Sequence, residues 1–179
     1  MALTHRLATR DDIPALRHLM DAAIGTLQKG FLDDAQIESS RTIMGLDAQL
    51  VDDGTYFVVE VDGGLAGCGG WSRRATLYGG SHSPGRDAAL LDPATEPARV
   101  RAMYTSPAFA RRGVGRRILE LCQNAAAAEG FTRLELMATL SGRPLYETFG
   151  FAAIEEVTDA SGGVPVPLVR MGKAIESGA

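Results

Sequence analysis

The sequence predicts a layered α/β domain, and three observations carry that reading. Segments of alternating polarity and segments of helical periodicity follow one another in the order β-α-α-β-β-β-α-β-α-β-β. A strand–helix–strand unit sits in the middle of a mostly antiparallel plan. The 179 residues, 45% of them hydrophobic, are enough for one core, so residues 1–179 are expected to form one domain.

Residues 4–8 (THRLA) alternate and read as the first strand. TRDD then supplies caps, and Pro14 suits a first helical turn. Ile13, Leu16, Leu19, Met20, Ala23, Ile24 and Leu27 recur at helical spacing, which predicts a helix over about 12–27; a second, weaker one falls in 33–44. TYFVVEV (55–61) is rich in β-branched and aromatic residues, DGG (62–64) signals a hairpin, and LAGCGGWSRR (65–74) is its partner strand. The glycines of that partner suggest bulges or close backbone approach.

Residues 75–98 hold three glycines and three prolines with little periodicity and read as a long, mobile loop. ARVRAMYTS (98–106) is a strand that ends at Pro107. Val114, Ile118, Leu121, Cys122, Ala125 and Ala126 mark one face of a helix that stops near Gly130. TRLELMAT (132–139) is a strand, and a short helix precedes Gly150. FAAIEEV (151–157) is a strand, DASGG (159–163) a turn, and VPVPLVRMGKA (164–174) a last strand. Its prolines assign that strand to the sheet edge, where it offers a pairing surface for a homodimer.

Composition narrows the function. A net charge of −4 and a pI near 5.4 argue against broad nucleic-acid binding, which needs a basic face. The N-terminus has no apolar signal core and no apolar run approaches the ~18 residues of a membrane span, so a cytoplasmic protein is expected. Cys68 and Cys122 form neither a metal pair nor a disulfide framework, and buried free thiols are expected. No metal site is expected.

One stretch departs from the even charge pattern. Between Pro97 and Leu119 there are six arginines (99, 101, 111, 112, 116 and 117) and no Asp or Glu. Four of them, in ARRGVGRRIL (110–119), crowd two glycines at a predicted helix start, where cations are locally unfavourable. An anion reverses that problem: unpaired N–H groups point outward, glycines let a phosphate approach, and arginine adds forked hydrogen bonds. The alternative is a solvated basic helix end, or arginines paired with distant acids. There is no GxxxxGK(S/T), and GVGRRI lacks the third glycine of a dinucleotide fingerprint.

YTSPAFARRGVGRRILE (104–120) resembles the acyl-CoA-binding motif of the GNAT superfamily of N-acetyltransferases, a strand and a proline followed by Gln/Arg-x-x-Gly-x-Gly/Ala opening a helix. Gly113 and Gly115 match it, and Ala110 stands at the Gln/Arg position. SGRPLYETFGF (141–151) is similar to the second family motif through Leu145, Tyr146, Glu147, Gly150 and Phe151, with Thr139 and Gly142 at its usual Asn and Ala. HRLATRDDIPALRHLM is similar to the family's opening strand and helix.

The resemblance implies a mixed, mostly antiparallel sheet with a central β-α-β unit and helices on both faces. It implies an acyl-CoA-dependent N-acetyltransferase that moves acetyl from acetyl-CoA, as co-substrate, to a primary amine by direct attack in a ternary complex. Met103, Tyr104 and Thr105 would then line a gap between splayed strands and pair with pantetheine like an added strand. Arg111, Arg112, Gly113, Val114, Gly115 and Arg116 would take the pyrophosphate. Tyr146 is the candidate catalytic donor to the leaving thiolate. Glu60, Asp62, Glu96 and His82 are candidates for a base, and Trp71, Tyr78 and His82 for the acceptor wall. The acceptor is a small-molecule or peptide amine; neither nucleic acid nor membrane is an expected partner. A CoA-binding sensor or interaction domain without turnover is the alternative.

Overall fold

The computed structural model describes residues 2–175. Its strands are β1 (Leu3–Leu7), β2 (Tyr56–Val61), β3 (Gly64–Ser72), β4 (Ala98–Thr105), β5 (Arg133–Thr139), β6 (Ala152–Asp159) and β7 (Val166–Ala174). Its helices are α1 (Ile13–Leu27), α2 (Asp34–Ser40), α3 (Ala48–Asp52), α4 (Val114–Ala128) and α5 (Arg143–Phe149). One seven-stranded sheet runs in the order β1-β2-β3-β4-β5-β7-β6. Every pairing is antiparallel except β4 with β5, the two strands that α4 connects.

Helices cover both faces, as a sheet with two apolar faces requires. The alternation of β2 divides the core: Val59 and Val61 join α4, Trp71, Phe131 and Tyr146, while Tyr56 and Val58 join α1, α2 and α3. The Asp12 carboxylate accepts the Thr9 N–H at 2.8 Å in a capping box ahead of α1.

Two differences from the sequence reading have clear causes. The five-residue α3, capped by Asp47, is too short to show a period. The last strand is internal, between β5 and β6, and β6 forms the edge. Pro167 is tolerated there because β5 stops at the Thr139–Leu168 pair, so no β5 partner asks for the missing N–H; its neighbour across the sheet is Thr158 on β6. The sheet edges open to a second copy are therefore β1 and β6.

The β3 glycines bring α4 and β4 close, as the sequence suggested. A Cβ at Gly67 would run into Val114 of α4, and one at Gly69 would stand 2.6 Å from the Met103 sulfur. At Gly70 it would lie 2.9 Å from the Tyr56 Cα and clash with the Thr55 carbonyl. Gly70→Ala is expected to cost about 2–3 kcal/mol of stability in urea unfolding, because backbone cannot yield as a side-chain tip can. Gly63→Ala, at an open turn with φ +83, is expected to cost about 1 kcal/mol from conformation alone. Equal losses at the two sites would refute the packing argument.

Candidate active site

The parallel ladder between β4 and β5 is short. Ala98 pairs with Leu134 and Arg99 with Glu135, and then the strands part. From Val100 onward β4 has no strand partner on its β5 side, while β5 continues along β7 to Thr139. The gap opens into a cleft of about 550 Å³ lined by Met103, Tyr104, Thr105, Arg111, Thr139 and Tyr146. Ile24, Leu27 and Phe31 add apolar surface from the α1 side. A smaller cavity of about 80 Å³ shares Met103, Tyr104, Thr139 and Tyr146 and extends to Arg101 and Tyr78. A third, of about 320 Å³, is lined by Arg17, Asp21, Arg41 and His82 among others. Met44 borders all three.

The segment leading from β4 into α4 contains two left-handed residues, Arg111 at φ 62 and Gly113 at φ 80. Gly113 is the N-cap of α4, and no side chain caps the helix. The N–H groups of Gly113, Val114, Gly115 and Arg116 find no acceptor among the described residues. The two motif glycines do different work. A Cβ at Gly113 would meet nothing within 4 Å, so the N–H groups stay open to a ligand. A Cβ at Gly115 would stand 2.6 Å from Leu145, so this glycine lets α5 close on α4. The Val114 side chain is fully in the core, which leaves only its N–H for a ligand.

The arginine cluster divides in two. Arg101 contacts Asp47 at 2.9 Å and Arg99 lies 3.7 Å from Glu135, so distant acids neutralise the β4 pair. Arg111, Arg112, Arg116 and Arg117 stay at the helix start, exposed. Arg116 meets Glu120 at 3.3 Å, an exposed pair of small worth, and lies over the Phe149 ring. Arg112 lies over Phe109.

Tyr146 borders both cavities at the parting of the strands. Its ring packs edge-on to Phe151 at 6.0 Å, and Gly142 leaves room for it: a Cβ there would stand 3.0 Å from the ring. Its hydroxyl has no hydrogen-bond partner among the described residues. Burial raises its pKa well above the usual tyrosine value, so the group stays an O–H donor at neutral pH. Thr139 accepts the Gly142 N–H at 3.1 Å, which fixes the turn into α5.

A family model for the acetyltransferase (GNAT) domain matches residues 52–153. The chain belongs to the GNAT acetyltransferase family. Many solved structures share the fold. A GCN5-related N-acetyltransferase from Rhodopseudomonas palustris is 17% identical with a TM-score of 0.70, over 97% of this chain and 98% of that one. PaiA N-acetyltransferase from Thermoplasma acidophilum, solved with coenzyme A, is 14% identical with a TM-score of 0.67, over 97% and 99%. The yncA protein from Salmonella typhimurium, solved with its cofactor acetyl-CoA, is 16% identical with a TM-score of 0.65, over 100% and 97%. No curated protein matches the chain.

Other candidates of this GNAT chain fall away from the cleft. Glu60 pairs with Arg6 at 3.2 Å, with β3 and β4 between it and the gap. Asp62 is in the β2–β3 turn, and Glu96 accepts the Asp92 N–H at 2.9 Å in another turn. Trp71 is core, edge-on to Phe131. Tyr78 does reach the small cavity and donates to Asp159 at 2.6 Å. His82 borders the third cavity, 2.8 Å from the Arg41 carbonyl oxygen. Among the described residues no cluster of His, Cys, Asp or Glu could hold a metal, and no helix is long and apolar enough to cross a membrane. Cys68 and Cys122 are free and buried, and burial pushes the Cys68 thiol up to about 12.

No local signal marks Asp47, which organises the wall behind the small cavity. Its carboxylate, 1% exposed, receives Arg101 and Arg86 and caps α3 through the Gln49 N–H. Arg101 also donates to the Gly79 carbonyl at 2.6 Å, and Arg86 to that of Gly80 at 2.9 Å. The segment between β3 and β4 is thereby tied to β4. Burial would raise the Asp47 pKa, but the hydrogen bond from Arg86 and the charge of Arg101 outweigh it and hold the group below the usual carboxylate range. A depressed pKa gives stability that is complete above about pH 4, the unfolded value, and is lost as pH falls further. Asp47→Asn should cost about 3–5 kcal/mol at pH 7, because it leaves a buried guanidinium unpaired, and should flatten the acid side of the stability–pH curve. Urea titrations between pH 3 and 7 check both.

Proposed function

We propose that the chain is an acyl-CoA-dependent N-acetyltransferase, with acetyl-CoA as co-substrate and a primary amine on a small molecule or peptide as acceptor. The observation that carries this reading is the continuity of two unsatisfied features, the open edge of β4 along the cleft and the uncapped start of α4 beside it. An extended amide-bearing arm fits the edge as an added strand beside Met103, Tyr104 and Thr105. A pyrophosphate fits the N–H groups of 113–116, with Arg111, Arg112 and Arg116 around them.

Acetyl-CoA supplies an activated thioester. The chain holds it and the amine in one cleft, for direct attack in a ternary complex; such juxtaposition lowers a barrier by about 7–11 kcal/mol. Backbone N–H groups on the β4 edge stabilise charge that grows on the carbonyl oxygen. Tyr146 donates a hydrogen bond to the departing sulfur. A free tyrosine is a weaker acid than a free thiol by about 1.5 pH units, and burial of Tyr146 widens the gap, so it donates without giving up its proton. No Asp or Glu among the described residues lines either cavity beside Tyr146. The amine is therefore expected to enter neutral, and kcat/KM should rise with pH towards the pKa of the amine used.

Thermal unfolding with acetyl-CoA, against NADH and ATP, tests the cofactor. At 100 times Kd the ligand adds about 2.7 kcal/mol, a rise in Tm on the order of 5–10 °C. Gly113→Asp should abolish that rise by putting a carboxylate where phosphate belongs. Tyr146→Phe should keep it and lower kcat at least tenfold in a CoA-release assay with a panel of amines. Binding without any amine-dependent release would leave a CoA-binding module and end the enzyme reading.

A further inference from the structure

Ala102 lies on the open edge of β4 with φ 51, a left-handed conformation that a residue bearing a Cβ avoids. It also marks a slip in register: Cys68 of β3 faces Tyr104, but Gly70 already faces Arg101. Such an outlier persists only where its surroundings enforce it. Its neighbours on the strand are pinned. Arg101 is anchored to Asp47, and the Tyr104 hydroxyl accepts the Gly45 N–H at 2.8 Å. The contact at Ala102 itself is made by Tyr56.

Tyr56 belongs to β2, with β3 between it and β4. Its side chain is 1% exposed on the sheet face that carries α1 and α2. The ring fits against Gly70, where a Cβ would stand 2.8 Å from it. Its hydroxyl then reaches the Ala102 carbonyl oxygen and donates to it at 2.6 Å. The carbonyl is thus engaged on the α1–α2 face.

We infer that Tyr56 is a positioning residue: by holding the Ala102 carbonyl on that face, it keeps the open edge of β4 a donor surface for a thioester carbonyl. This rests on the acetyl-CoA reading above. A backbone oxygen swung into the gap would repel a carbonyl oxygen bound there, whereas N–H groups attract it. Tyr56 touches no reactant; it acts through Ala102.

The test uses acetyl-CoA labelled with 13C at the thioester carbonyl. Bound to the wild-type chain, its resonance should move downfield from the free position, as expected for a carbonyl polarised by donors. Tyr56→Phe keeps the ring and removes the hydroxyl. It should bind acetyl-CoA within about threefold of wild type but return the resonance most of the way to the free position, with kcat down tenfold or more and KM for acetyl-CoA nearly unchanged. Glycine accepts a positive φ without strain. Tyr56→Phe/Ala102→Gly should therefore fold more readily than the single variant and recover at least half of the shift, which a loss of packing alone would not allow. A full wild-type shift in Tyr56→Phe, or no recovery in the double variant, overturns the inference. So does a wild-type resonance that stays at the free position in a chain that binds. A wild-type chain that does not bind the labelled ligand removes the acetyl-CoA reading itself, and this inference with it.

Discussion

Backbone N–H and C=O groups inside a protein need partners, and β4 leaves a run of them from Val100 onward where β5 turns away. Much of the nearby architecture answers that demand or preserves it. On the far side of β4 the β3 ladder resumes at Cys68 after its slip, and three β3 glycines allow α4, Met103 and the Tyr56 ring to come close. Tyr56 takes the carbonyl of Ala102, one of the two β4 residues that the slip leaves without a β3 partner. Arg101 and Asp47 fasten the root of the strand, and Tyr104 fastens its tip to Gly45. The left-handed residue costs on the order of 1 kcal/mol, which the buried contacts around it can offset.

The same segment carries the charge that the chain otherwise keeps balanced. Arg99 and Arg101 alternate on β4 and find acids brought from 36 and 54 residues away in sequence, Glu135 and Asp47. Neither partner is visible locally, so all six arginines look unpaired until the fold is known. The four at the start of α4 stand exposed where the helix already contributes positive potential, Arg116 beside Glu120. Cations there are tolerable because their heads are exposed and hydrated, with aromatic faces under Arg112 and Arg116.

Much of this was legible in the residues. Element order, the central strand–helix–strand unit and the glycine–arginine turn all rest on local signals, and those survive folding. Met103, Tyr104, Thr105, Arg111 and Tyr146, which the motifs mark, meet around one cleft. Misreadings came where a long-range partner decides. Pro167 suggested an edge because proline lacks a donor, yet the neighbouring strand ends before a donor is needed. Glu60 is a candidate base by residue type, yet two strands separate its strand from the gap and Arg6 pairs with it. Tyr56, Asp47 and Arg86 carry no local signal, since their contacts join β2 to β4 and α3 to two separate segments, and no spacing in sequence encodes such a meeting.

Met44 borders all three cavities, and its character sets how firmly they are divided. A β-branched residue or an aromatic ring at that corner would be a rigid partition with one or two rotamers. A methionine is an unbranched chain with three freely turning bonds and a polarizable sulfur. Rotamer hops of one half-buried side chain, on the picosecond-to-nanosecond scale of ordinary side-chain motion, are then enough to redraw the boundary between the cleft and the space beside Arg17 and His82. The wall on that side is soft where the wall formed by Tyr146, its ring packed on Phe151, is hard, so that side of the chamber has an adjustable shape while the side beside Tyr146 has a fixed one.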